Sequence, residues 1–139
     1  MKTAAFTLEH IFYPETTVKA NIDYDREHDT PPSEPEVKIT IPQHVGDQED
    51  PILQIVLTVA VSAASPSDRY EIAVLCVGRF KSSEDISFQD FAKQVIVSGP
   101  NMLYSAAREH VLGLTSRSAW GEFNLPAVVF DPDDFHRPE

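Results

Sequence analysis

The stretch 99 to 131, GPNMLYSAAREHVLGLTSRSAWGEFNLPAVVFD, constrains this chain more than any other. It opens on a turn signal, Gly99-Pro100-Asn101, and runs on as a sustained helical pattern. Leu103, Ala106, Ala107, His110, Val111 and Leu114 share one stripe, while Ser105, Arg108, Glu109 and Thr115 fall mostly off it. Proline is favoured in a first helical turn, so the spacing predicts a main helix beginning at Pro100. The small side chains of Ala106 and Ala107 let another backbone come close, which marks the helix for the core and for a subunit interface. A loop carrying Trp120 and Phe123 follows, and then an apolar run, Leu125 to Phe130. Everything upstream alternates. A sheet with one apolar face needs a long helix to cover it, and only this stretch has the length.

In chain order, residues 5 to 12 alternate loosely, Pro14 interrupts, and alternation resumes through Val18, Ala20, Ile22 and Tyr24. Proline cannot donate to a ladder, so this reads as one interrupted strand near a sheet edge or bend. Residues 25 to 36, DREHDTPPSEPE, are charged, proline-rich and without large apolar groups, the signature of a long exposed connection. Val37, Ile39 and Ile41 form a second strand closed by Pro42, and a second polar connection, QHVGDQEDP, follows.

The strongest strand is 52 to 64, with Leu53, Ile55, Leu57, Val59 and Val61 on one face. Its other face, where Val56 and Ala60 join Gln54, Thr58 and Ser62, is half apolar, the pattern of a surface partly covered by another subunit. Ser65-Pro66-Ser67-Asp68 is a tight-turn signal, and Tyr70 to Phe80 alternates again, which predicts an antiparallel hairpin at the centre of the sheet. Ser87 is placed to cap a short helix, 88 to 96, that Gly99-Pro100 ends.

With 139 residues the chain supports one domain, 1–139, closing in a short acidic tail, 132–139. Eleven basic against 22 acidic residues give a net charge of −11. Phosphate backbones and anionic lipid call for a positive footprint, so nucleic acid and membrane surfaces are not expected partners. A basic protein partner would be attracted. The N-terminus reaches Glu9 before any long apolar run, and no stretch approaches the roughly 18 apolar residues of a membrane span, so a cytoplasmic protein is expected.

Chemistry-bearing constellations are thin. The single cysteine, Cys76, reads as a small buried hydrophobe, and the five histidines do not pair at ligand spacing, so neither a metal nor a cofactor is expected. Ser98-Gly99-Pro100 and Ser116-Arg117-Ser118 lack a nucleophile-elbow context, and there is no glycine-rich phosphate loop. Arg108-Glu109 with Glu122 reads as a structural ion pair. Asp131, Asp133 and Asp134 lack the glycine spacing of a calcium loop and read as solvated tail. No catalytic residue is assigned, and the chain is not expected to be an enzyme. What stands out is Trp120, Phe123 and Leu125 just after a helix: aromatics capping a core, or an apolar platform for another chain.

Here the sequence resembles the SecB family of export chaperones. The pieces are PNMLYSAARE (100 to 109), the serine and arginine of TSRS, Phe123-Asn124-Leu125-Pro126-Ala127 and Val128-Val129-Phe130-Asp131. Upstream, IFYPETTVKA, PEVKITI and the paired strands fall in the family's order. The resemblance implies an α+β fold: a four-stranded antiparallel sheet with helices packed on one face. It further implies a homo-oligomer, a dimer or a dimer of dimers, with helices between two sheets. The implied function is ATP-independent holding of unfolded or pre-secretory polypeptide in long grooves, with delivery to the SecA motor. By position, Trp120, Phe123 and Leu125 match the family's aromatic helix-connecting loop, and Tyr24 sits where its crossover loop begins. The match departs in three places. Val129 stands where the family has Asn, the crossover stretch 25 to 36 lacks the family's aromatics, and the chain ends at Glu139 where the family continues into a second long helix and tail. Those departures favour a second reading, an interaction or regulatory protein of the same fold with one specific partner.

Overall fold

The structure is a computed structural model, and it describes residues 6–47, 49–82, 86–131 and 134–136. Among the described residues six strands and one helix follow in the order β1 (Phe6–Ala20), β2 (Glu36–Thr40), β3 (Gln43–Val45), β4 (Ile52–Val61), β5 (Tyr70–Ser82), α1 (Phe88–Thr115) and β6 (Phe135–His136). The sheet order is β1-β5-β4-β2-β6, with β3 paired to β4 beyond the end of β2. The four main strands are antiparallel, as the resemblance implied, and the sheet is larger than four strands because β3 and β6 extend it.

The β4–β5 hairpin forms the centre as expected, with Leu57 opposite Cys76 and Val59 opposite Val74. Opposed residues share a face. Leu53, Ile55, Leu57, Val59 and Val61 therefore meet Ile72, Val74, Cys76 and Phe80 in the buried layer under the helix. Burial of each large side chain contributes about 1.5–3 kcal/mol. β1 lies at the edge and is interrupted as its sequence suggests: the pairing with β5 shifts between Leu8 and His10 and again between Phe12 and Glu15, around Pro14. It ends at Ala20, short of the expected Tyr24, and leaves Ile22 exposed.

β2 and β3 are one bent strand in effect, since both pair with β4 on either side of a break at Ile41-Pro42. In the gap the Thr40 hydroxyl accepts a hydrogen bond from the Val56 N–H at 3.0 Å. That contact satisfies the donor a continuous ladder would have used. β3 lies inside what the sequence presents as a polar connection. β6 falls inside the expected tail 132–139, and it pairs in parallel with β2 through Ile39–Phe135 and Thr40–His136. Pro132, Asp133 and residues 137 to 139 lie outside the described residues.

The helix is the main correction. The expected short helix 88–96 and the main helix from Pro100 are a single 28-residue element with Pro100 inside it. Ser87 caps it as expected, its hydroxyl accepting from the Asp90 N–H at 3.2 Å. A proline inside a helix removes one backbone bond and costs about 3 kcal/mol, so packing must carry the helix across. Phe91, Val95, Gly99, Leu103, Ala107, Val111 and Thr115 form an unbroken four-residue row of buried positions. Gly99 is a contact there and not a stop: a Cβ at Gly99 would sit 2.9 Å from Ile55 Cδ1 and 3.2 Å from Phe80 Cζ. Opposite, a Cβ on Gly78 of β5 would lie 2.2 Å from Leu103 Cδ2. Two glycines thus let helix and central sheet approach at the crossing.

Of the helical positions assigned to core and interface, Leu103, Ala107 and Val111 are fully buried. Ala106 is half-buried. His110 is half-buried too, its ring stacked on Tyr13 at 3.9 Å between centroids and its Nε2 3.1 Å from Thr16 Oγ1. This pins the helix to β1, and burial lowers the His110 pKa. Leu114 does not join the core and is 41% exposed. Thr115 takes that buried place, because the four-residue row from Val111 lands on it.

Candidate functional site

The site candidates of the sequence gather where the helix ends. Thr115, buried and polar, directs its hydroxyl to the Val111 carbonyl at 2.8 Å and accepts from the Phe123 N–H at 2.9 Å. That folds residues 116 to 123 back onto the helix. The loop is fixed from the sheet side by Tyr70, which is fully buried yet reaches it with its hydroxyl. The hydroxyl accepts from the Trp120 N–H at 2.8 Å and donates to the Gly121 carbonyl at 2.8 Å. The indole Nε1 of Trp120 donates to the Asn21 carbonyl at 2.9 Å, fastening the loop to the start of the crossover segment. Trp120 is thereby held at both its backbone and its ring while 38% of it remains exposed. Buried aromatics with polar handles usually find such partners; here the handles also orient an exposed ring.

Tyr24 closes the other side. Its ring lies 5.4 Å from that of Trp120 at an angle of 51°. Arg69 sits over the Tyr24 ring at 5.8 Å, donates from Nε to the Tyr24 hydroxyl at 3.3 Å, and donates from Nη1 to the Glu122 carbonyl at 3.0 Å. A cavity of about 390 Å³ opens between these groups, lined by Tyr24, Arg26, Arg69, Ala119 and Trp120. A second, of about 280 Å³, lies beyond Arg69 and is lined by Ser33, Val61, Asp68, Phe123 and Asn124 among others. The two form a groove between the crossover segment and the loop after the helix, with Arg69 common to both. The volumes are at or just below the low end for small-ligand clefts.

Phe123 is half-buried, its ring edge-on to Tyr70 at 6.3 Å between centroids. Leu125 is corrected out of the site: it is 1% exposed, part of the core, and presents no surface to a ligand. The run after it passes over the helix, where the Tyr104 hydroxyl donates to the Pro126 carbonyl at 2.6 Å and Phe130 packs edge-on to Tyr104. Tyr24 and Trp120 are brought together by structure across 96 residues of sequence.

Sequence reasoning passes over three groups that shape the groove: Arg69, Tyr70 and Asp68. Asp68, placed only in a turn signal, is 3% exposed. Its carboxylate accepts from the Ser33 N–H at 2.7 Å, the Ser33 hydroxyl at 2.8 Å and the Ser65 N–H at 3.1 Å. Burial alone would raise its pKa, and the hydrogen bonds from Ser33, Ser65 and Ala64 outweigh this and hold it below the usual value. The exposed crossover segment is thus tied to the hairpin turn. Asp25 N–H to the Pro66 carbonyl at 2.8 Å, and Ser67 hydroxyl to the Thr30 carbonyl, add to the tie.

Elsewhere the chemistry is sparse. Cys76 is fully buried, and burial pushes its thiol up to about 11. Among the described residues no three metal-ligating side chains converge. No helix among them is long and apolar enough to cross a membrane. On the sheet face away from the helix, Glu34, Glu36 and Glu71 line a further open cavity of about 460 Å³, and ion pairs Lys38–Glu36 at 3.4 Å and Lys19–Glu71 at 3.9 Å lie exposed beside it.

No family model matches the chain. Among solved structures it is similar to the Mycobacterium tuberculosis Rv1957 SecB-like chaperone, in complex with a ChAD peptide from the Rv1956 HigA1 antitoxin. The TM-score is 0.60 at 14% identity, covering 91% of this chain and 93% of that one. It is also similar to a protein of unknown function from Streptococcus agalactiae, with TM-score 0.53 at 15% identity, covering 88% and 97%. At such identities the likeness is one of fold. The chain has a divergent SecB-like fold.

Proposed function

We propose that this chain binds extended polypeptide without chemistry, as an ATP-independent holding chaperone, in the groove between the crossover segment and the loop 116–124. The observation that carries the reading is Trp120, an aromatic clamped by the hydrogen bonds it donates to the Asn21 carbonyl and the Tyr70 hydroxyl yet left open at the mouth of a cavity. Ordering an exposed ring in advance lowers the entropy cost of binding, so contact with a client side chain yields more net affinity. The fold likeness to a SecB-like chaperone that holds a peptide supports the same reading.

Unfolded and pre-secretory polypeptides are the proposed clients, SecA the proposed receiver, and the cytoplasm the proposed compartment. Self-association as a dimer or tetramer is proposed through the helix, whose Phe88, Val97, Met102 and Leu114 are exposed. Several subunits would raise avidity for one long client. The test is suppression of aggregation of several unrelated denatured proteins. The wild type should protect all of them and Trp120→Ala should protect poorly with unchanged helix content; equal protection by the variant would remove the loop as the site.

A second reading has its own support. The M. tuberculosis neighbour is in complex with a peptide from an antitoxin, and the crossover segment 25 to 36 here carries no aromatic to widen the groove. One dedicated partner segment fits those facts. Inactivity toward every unrelated client, with binding to one peptide sequence retained, would select it.

A further inference from the structure

We infer that the groove selects segments in which a single carboxylate side chain stands beside an aromatic one, within a stretch that is otherwise neutral or basic. The inference rests on the groove being the polypeptide site. The first cavity is lined by two aromatics, Tyr24 and Trp120, and by two charged groups, Arg26 and Arg69, both cationic. On a chain of net charge −11 this pairing is unexpected. Among the described residues neither guanidinium has an ion-pair partner.

Arg69 is the better placed of the two. Its Nε and Nη1 are engaged by the Tyr24 hydroxyl and the Glu122 carbonyl, both neutral acceptors, which leaves Nη2 to offer donors at the junction of the two cavities. A guanidinium held in this way is pre-aligned for a carboxylate, which it binds through directional charge-assisted bonds. The Tyr24 and Trp120 rings, 5.4 Å apart, offer an aromatic side chain an edge and a face within the same cavity.

The surroundings limit how acidic the ligand can be. Asp23, Asp25 and Glu27 adjoin Tyr24 and Arg26 in the chain without lining the first cavity, Asp25 Oδ1 accepts from the Glu27 N–H within its own loop, and Glu122 and the hydrogen-bonded Asp68 line the second cavity beyond Arg69. At longer range this rim repels a polyacidic segment and attracts a basic one. One carboxylate, delivered locally to Arg69 and Arg26, escapes that repulsion.

Trp120 is the only tryptophan, so its emission reports the cavity directly. Three peptides, identical but for Glu, Gln or Lys next to one Phe and otherwise uncharged, are titrated into the full chain at low salt. The Glu peptide should bind about three- to tenfold tighter than the Gln peptide, the range of a partly exposed charge-assisted contact, with the Lys peptide weakest. Arg69→Gln should erase most of that preference. Arg26→Gln, at a side chain with no described hydrogen bond, should erase part of it and keeps the test valid should Arg69→Gln disturb the loop. Equal binding of the Glu and Gln peptides, or a preference that survives both substitutions, overturns the inference and leaves the groove standing. No change in Trp120 emission with any peptide overturns the groove reading and the inference together.

Discussion

The helix 88–115 and the loop 116–124 are consecutive in the chain and are held in opposite ways. The helix keeps its place by burying a continuous row of apolar and small residues against the sheet, strongly enough to run through Pro100. The loop buries little. It is positioned by single polar atoms reaching out from the core, the hydroxyls of Thr115 and Tyr70, and by the Asn21 carbonyl. Fixing a segment by polar pins leaves its aromatic surface free, which apolar burial would have consumed. The difference separates the part that makes the fold from the part available for binding.

Breaking the helix side should have the largest effect. Leu103→Ala empties a fully buried position at the helix–sheet crossing, and a loss of about 2–5 kcal/mol in chemical denaturation is expected. Gly78→Ala tests the close approach from the strand side: its Cβ would be driven into Leu103, for a loss of about 1–3 kcal/mol. Tyr70→Phe tests the pins. It leaves the Trp120 N–H and the Gly121 carbonyl without their partner, so about 1–3 kcal/mol should be lost. The sharper readout is Trp120 emission, which should shift to the red as the ring loses its fixed place, while far-UV circular dichroism stays unchanged.

The smallest effect belongs to the tie on the other wall of the groove. Asp68 titrates below its ordinary value near 3.8 in the folded protein. Its contribution is therefore complete above that value and is lost as pH falls through the folded pKa. Asp68→Asn should flatten this part of the acid-denaturation profile and leave the variant about 1 kcal/mol less stable than the wild type at neutral pH, because an amide offers only one acceptor oxygen.

The same contrast explains what could be read from the sequence. β4 and β5 were legible because each buries one face completely, and period-two alternation records that. The helical stripe was legible for Leu103, Ala107 and Val111 for the same reason. Gly99-Pro100 reads locally as a stop, since the part of Gly99 in close packing depends on Ile55 and Phe80 of the sheet, which no local pattern contains. β3 was too short and polar to stand out, and it exists because β4 continues past the end of β2. Around the site, Trp120 stands out in the sequence as a loop aromatic just after a helix, and Tyr24 through the resemblance alone. The Tyr70 and Asp68 pins were not, because each joins segments far apart in the chain through one polar group that leaves no periodic trace. Leu125 was misplaced, since an apolar residue in a loop reads the same whether it faces a ligand or the core.

Hydrogen exchange of the full chain with and without an unfolded client tests most directly whether the groove binds polypeptide while the helix serves as scaffold. The expected result is new protection confined to amides of 21–35 and 116–124, with exchange in the middle of the helix and in β4 and β5 unchanged. Protection on the outer sheet face or along the helix, with none in the loop, would contradict it.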